Sequence, residues 1–358
     1  MRGRAAMRRP CKTVLRKTGL AAMCAALVAC GKAPPAAYYD AGDCRRIDLL
    51  DKATGAAIVG AEDMAIDREK GRLLISAYDR RAAERAAKRG RRPPDGGLYA
   101  VAVEKLFDAN QSLSVTPMMD TAEFDNGLRP HGIAVSDGEI AFINRAYVKD
   151  GARWRLEPTL ARVRPDGEKE ENPVHCAAND VAYADGEIVH TRDHGACGGY
   201  GRFLETVFAR KKSGAYGMDG KAVIDGVAFA NGVAVADAGL AVAATREKAL
   251  HMRASESPHA RATVSLPDAP DNLSMDEGAI VVALHPDLFR LALNRKLGVG
   301  KAGSRIARVD LQTQEIEILF DDRSGDQFSA ATVGVITARG LVAGSVTDAG
   351  VLVCEKDA

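Results

Sequence analysis

The chain has 358 residues, 46% hydrophobic and 27% charged, enough apolar material to bury a core and too much to leave long disorder. The first 29 residues hold seven basic side chains and no acid, so the remainder carries 42 basic against 48 acidic groups. A body of that sign repels a phosphate backbone and, with only 5% aromatics for stacking on bases, excludes nucleic acid as a partner.

In chain order, the basic residues Arg2 to Lys17 precede the apolar run GLAAMCAALVA, Gly19 to Ala29. Eleven such residues are too few to span a bilayer as a helix but suit a signal-peptide core. The run ends in Leu27-Val28-Ala29-Cys30-Gly31, which looks like a bacterial lipoprotein box whose cysteine accepts the lipid. This reading gives a signal peptide at 1–29, a lipidated tether at 30–43 and a folded body at 44–358. It places that body, expected to be monomeric, in a bacterial cell envelope, facing the periplasm or on the outer membrane. An ordinary signal peptide cut nearby is the alternative. Cys44, Cys176, Cys197 and Cys354 then remain, an even set that allows three pairings in an oxidising compartment. Pairing Cys44 with Cys354 would staple the two ends of a fold that closes on itself; free buried thiols are the other reading.

A turn signal followed by an apolar run recurs six times: KGRLLISA (70–77), DGEIAFIN (137–144), DGEIVHTR (185–192), DAGLAVAA (237–244), DEGAIVVA (276–283) and ARGLVAGS (338–345). The runs are too short for helices, and glycine in each turn supports a positive φ. Such spacing predicts an all-β, six-bladed β-propeller with insertions on one face. The basic stretch Arg80 to Arg92 reads as an exposed insertion between strands. The glycine-containing stretch Leu291 to Ser304 reads as a loop that shapes specificity.

Polar residues precede the turns at nearly constant offset: Glu62-Asp63, His131, Asn179-Asp180, Asn231 and Asp271-Asn272, four to eight residues ahead. In radially arranged units such positions lie at one depth around one axis. Buried carboxylates without a cation cost several kcal/mol each, and oxygen-only donors select a hard ion. Glu62 and Asp271 with the amide oxygens of Asn179, Asn231 and Asn272 therefore form a candidate Ca2+ set. No G-x-S-x-G elbow, H-E-x-x-H helix or phosphate loop competes.

The segments AEDMAID (61–67), RPHGIAV (129–135), NDVAYADG (179–186), FANGVAVA (229–236), PDNLSMD (270–276), ALHPD (283–287) and GSVTDAGVLVCE (344–355) resemble the paraoxonase/arylesterase family. That family is related more distantly to gluconolactonase and strictosidine-synthase-like propellers. The resemblance implies a catalytic calcium on Glu62, Asn179, Asn231, Asp271 and Asn272. It implies a second, structural calcium on Asp63, Asp180 and the Ile133 carbonyl. It supports a Cys44–Cys354 bridge closing the propeller through its terminal strands, and leaves Cys176–Cys197 without a family counterpart. His131 matches the family's proposed general base, Asn179, Asn231 and Asp271 belong to its catalytic set, and His194 and His285 match site-lining positions. The family's second histidine falls at position 145, where this chain has Arg145. Such a charge lowers the pKa of His131 and cannot accept a relayed proton.

The implied activity is calcium-dependent hydrolysis of lactones or aryl esters. The alternatives are a non-catalytic, calcium-stabilised binding propeller and a sugar lactonase.

Overall fold

The computed structural model describes residues 36–236, 239–254 and 261–356. The signal segment, Cys30, Asp237-Ala238 of the fourth repeat and His259 lie outside the described residues. Each repeat forms the second strand of an antiparallel hairpin: Arg72–Ala77, Glu139–Asn144, Glu187–Arg192, Gly239–Ala244, Ala279–His285 and Leu341–Ser345. The first, inner strands of these hairpins are Ala61–Asp67, Pro130–Ser136, Ala178–Ala184, Ala230–Ala236, Ala269–Asp276 and Ala331–Ile336. Three of the turns place two successive residues at positive φ, for example Asp137 at 48° and Gly138 at 75°. That backbone matches the right-handed twist of the flanking strands, which explains the recurring acid-glycine pair.

Four of the hairpins extend outward into four-stranded antiparallel sheets. The other two share one eight-stranded sheet, and the strand Cys44–Asp51 joins them. Its first half runs antiparallel to Val351–Cys354, and its second half runs parallel to Ser112–Pro117. The inner strands stand side by side in chain order, and Ala331–Ile336 returns to Ala61–Asp67. The architecture is thus all-β and propeller-like. Packed valine, leucine and isoleucine fill the space between sheets, as with Leu73, Ile75, Val333 and Val353.

Two disulfides are present. Cys44–Cys354 spans 310 positions at the register point where the terminal strands meet, and Cys176–Cys197 spans 21. His175, Cys176 and Cys197 bring ligand-type atoms within 4.8 Å of one another, but both sulfurs are spent in the bond. Among the described residues no helix is long and apolar enough to cross a membrane.

Two segments differ from the expectation. Residues Arg80–Lys88 form an α-helix, capped by Asp79 accepting from the Ala82 N–H at 2.8 Å, rather than an open insertion. The helix buries Ala83 among Tyr78 and Tyr147, with Ala87, Trp154 and Leu156 packed alongside, so successive turns of the basic stretch carry an apolar stripe. The stretch expected as a specificity loop from Leu291 is helical through Leu288–Leu297 and ends at Gly298, whose φ is 71°.

Two predictions follow from this framework. The double variant Cys44→Ala/Cys354→Ala should lose about 2–5 kcal/mol of stability, read by chemical denaturation with the Cys176–Cys197 bond intact. His190 is buried, and neither ring nitrogen has a hydrogen-bond partner. Burial, aided by the charges of Arg192 and His175, pushes its pKa down to about 4. The unfolded chain therefore binds the proton first, and stability falls as pH drops from about 6.5 toward 4 by about 3 kcal/mol. His190→Leu should flatten that part of a denaturation-against-pH curve.

Candidate active site at the bulged strand ends

Each inner strand carries one extra residue near its start relative to its hairpin partner. The irregularities lie between Ala61 and Asp63, Pro130 and Ile133, Ala178 and Val181, Ala230 and Val233, Pro270 and Leu273, and Ala331 and Val333. A bulge re-aims the side chain it contains. The residues so placed are Glu62, His131-Gly132, Asn179-Asp180, Asn231-Gly232, Asp271-Asn272 and Thr332, and all their polar side chains are buried. Thr332 escaped the sequence reading, although it stands six residues ahead of the last repeat, the same offset as His131 and Asn231.

These side chains form a continuous polar network. Asn179 Nδ2 donates to Asn231 Oδ1 at 2.9 Å, and Asn231 Nδ2 donates to Asp271 Oδ1. Asp271 Oδ2 meets His285 Nε2 at 2.6 Å. On the other side, Glu62 Oε1 lies 3.0 Å from Arg80 Nη1, and Oε2 lies 2.8 Å from His131 Nδ1. Asn272 Nδ2 and Thr332 Oγ1 both donate to the Glu62 carbonyl, at 3.0 and 2.7 Å.

A cavity of about 280 Å3 opens onto this network. Glu62, Asn179, Asn231, Asp271 and Thr332 line its floor, and His194 and His285 stand in its wall. His131, Asp63, Asp180, Ile133 and Asn272 do not reach it. Three helices, Arg80–Lys88, Gly199–Phe208 and Leu288–Leu297, supply much of the wall, and non-helical residues such as Phe229, Thr245, Arg246 and Val346 add to it. His194 is held by Asp193 Oδ1 at 2.8 Å and Thr206 Oγ1 at 2.9 Å, and Arg202 reaches both Asp193 oxygens at 3.1 Å. Arg80, Asp193 and Arg202 were not singled out from sequence. Nothing in a run of arginines marks the one that the cap at Asp79 turns inward.

Electrostatics separate the acids into two groups. Burial works to raise the Glu62 pKa, but the charges of His131 and Arg80 outweigh it and hold the carboxyl well below its ordinary range. Asp193 behaves alike: the His194 hydrogen bond and the Arg202 charge overcome burial and hold it at about 2. Asp63 and Asp180 go the other way, both pushed up by burial, with mutual repulsion adding to the rise at Asp63. For His131, burial dominates and lowers the pKa; Arg80 and then Arg145 add to it, while Glu62 opposes. Arg145 thus acts in the expected direction, but as a minor contributor.

The donor chemistry fits an oxygen-ligated dication. Asn179 Oδ1 is a buried carbonyl oxygen with no hydrogen-bond partner, and it belongs to the same network as the Asp271 carboxylate. Glu62 adds a second carboxylate, already engaged by Arg80 and His131. Gly132 lies against Asp180, where a Cβ would come within 2.4 Å of Asp180 Oδ1. Only glycine leaves room for the Asp180 carboxyl there. At Ile133 the group that meets Asp63 is the N–H, at 2.8 Å.

No family model matches the chain, and no curated protein matches it. Solved structures similar to it include the nidogen/laminin complex, with TM-score 0.47 and 11% identity over 76% of this chain and 82% of that one. A luciferin-regenerating enzyme matches with TM-score 0.47 and 13% identity over 88% and 93%. An inactive virginiamycin B lyase from Staphylococcus aureus with quinupristin matches with TM-score 0.47 and 10% identity over 87% and 98%. At these identities and scores the likeness says nothing about chemistry.

Proposed function

We propose that this chain is a calcium-dependent hydrolase of lactones or aryl esters on a six-bladed propeller, tethered to a bacterial envelope through lipidated Cys30. The observation that carries the reading is the buried Asn179–Asn231–Asp271–His285 network, with an unpartnered Asn179 oxygen, at the floor of a small cavity. Glu62, Asn179, Asn231, Asp271 and Asn272 would hold the catalytic ion, and Asp63, Asp180 and Ile133 the structural one. Bound calcium supplies Lewis acidity toward an ester carbonyl and its developing negative charge.

The chain's own residues do the rest. Asp271 accepts from His285 Nε2 and fixes the ring of a residue that lines the cavity, which leaves the buried Nδ1 as an acceptor without a partner among the described residues. An imidazole oriented this way takes a proton from an attacking water. We therefore assign the base to His285 and give His131, which stands behind Glu62, the task of holding that carboxylate. His194, fixed by Asp193 and Thr206, contributes to the substrate-facing wall.

The second reading, a calcium-stabilised binding propeller without chemistry, draws on one observation: both Glu62 oxygens already lie against protein groups, Oε1 against Arg80 and Oε2 against His131.

Purified protein should hydrolyse phenyl acetate or members of a lactone panel with calcium present. EGTA should abolish turnover, and added calcium should restore it. Asp271→Ala should cost at least about 100-fold in kcat/KM. Full activity after chelation and in that variant overturns the assignment. Silence across the panel, with calcium still raising Tm, favours the binding propeller, and turnover confined to gluconolactone favours a sugar lactonase. His285→Gln should lower kcat by about 100-fold or more with little change in KM, whereas an unchanged kcat returns the base to His131.

A further inference from the structure

Five cationic side chains line the cavity: Arg80, Arg202, Arg246, Arg295 and Lys296. Its acids are Glu62, Asp193 and Asp271, and each has a partner of its own. Glu62 is bound by Arg80, Asp193 by Arg202, and Asp271 by His285. Arg246, Arg295 and Lys296 are left over. Among the described residues none of the three forms an ion pair within 4.0 Å.

The placement of Arg295 is not explained by its helix. Cations commonly sit at a helix C-terminus, where they answer the free carbonyls. Here Arg81 already does so from the neighbouring helix, donating to the carbonyls of Asn294 at 2.7 Å and Arg295 at 3.2 Å. The Arg295 guanidinium instead stands in the cavity wall with Arg80. The nearby Arg80 charge, with burial, pulls the Arg295 pKa below its ordinary value, and Glu84 and Glu62 oppose this only in part. Like charges held together at a cavity wall are relieved by an anion placed between them.

We propose that the substrate is itself an anion: a small ester or lactone carrying a carboxylate or phosphate, which Arg295, Arg246 and Lys296 seat while its carbonyl faces Asn179 and Asp271. The proposal rests on the hydrolase reading and narrows its substrate class. A space of about 280 Å3 suits a single ring with one acidic group. Ion-assisted hydrogen bonds from arginine give the discrimination that an apolar wall cannot.

The test uses full-length, calcium-loaded protein and matched neutral and charged probes. kcat/KM for 4-acetoxybenzoate should exceed that for 4-acetoxybenzamide by at least about tenfold. Arg295→Gln should bring the ratio toward one by raising KM for the charged ester, and Arg246→Gln should do the same. Because the ratio is taken within one preparation, partial misfolding does not move it. Calorimetry supplies a readout apart from turnover: 4-hydroxybenzoate should bind about tenfold more tightly than 4-hydroxybenzamide, with the preference lost in Arg295→Gln. Phenyl phosphate in place of 4-hydroxybenzoate tells which oxyanion the site takes; tighter binding of either, relative to the amide, supports the proposal. Equal affinities for charged and neutral probes, or a rate ratio untouched by both variants, overturns it and leaves the hydrolase intact. Preferential anion binding without hydrolysis of either ester overturns the hydrolase and leaves the anion site standing.

Discussion

The structure depends on one backbone constraint: each inner strand must carry one more residue than its partner near the same end. A regular strand would send Glu62, Asn179 and Asp271 alternately toward the neighbouring sheets. The one-residue bulge breaks that alternation and turns a polar side chain toward the axis from every inner strand. Beyond the bulge the alternation resumes, and valine, isoleucine and alanine pack between sheets again. The extra residue is thus the point at which a hydrophobic framework becomes a polar site.

Placing so many polar groups in one buried layer has an electrostatic cost that the surroundings share out. Glu62 and Asp193 keep their charges because arginines and histidines lie against them. Asp63 and Asp180 have no such cation, and their proton affinities rise together. Hydroxyls brace the layer from outside. Ser76 donates to the His131 carbonyl, Thr191 to that of Asn231 and Thr245 to that of Pro270, each tying one sheet to the next. The polar floor is therefore built into the contacts between sheets.

Much of this was legible in the sequence because it is written as period and spacing. The acid-glycine turns located the hairpins, and the offset before each turn located Glu62, His131, Asn179, Asn231 and Asp271. The cysteines near the ends of the body matched the closure seen at Cys44 and Cys354. The cavity wall was not legible, since much of it comes from helices inserted between strands, and their side chains meet only in three dimensions. Arg80 is a clear case: one arginine among six in thirteen residues, distinguished only by the turn that Asp79 begins. Leu288–Leu297 was obscured by the glycines that follow it. Depth was hidden as well, for His131 and His285 look equivalent in sequence, yet only His285 reaches the cavity.

The strand Cys44–Asp51 has a bearing on biogenesis. Cys44, at its start, is made 310 residues ahead of Cys354 in its antiparallel partner, Val351–Cys354. Until those residues arrive, the opening strand has a half-exposed edge and a lone thiol. Ring closure must therefore wait for that distant strand, and the long separation in sequence makes it a slow event.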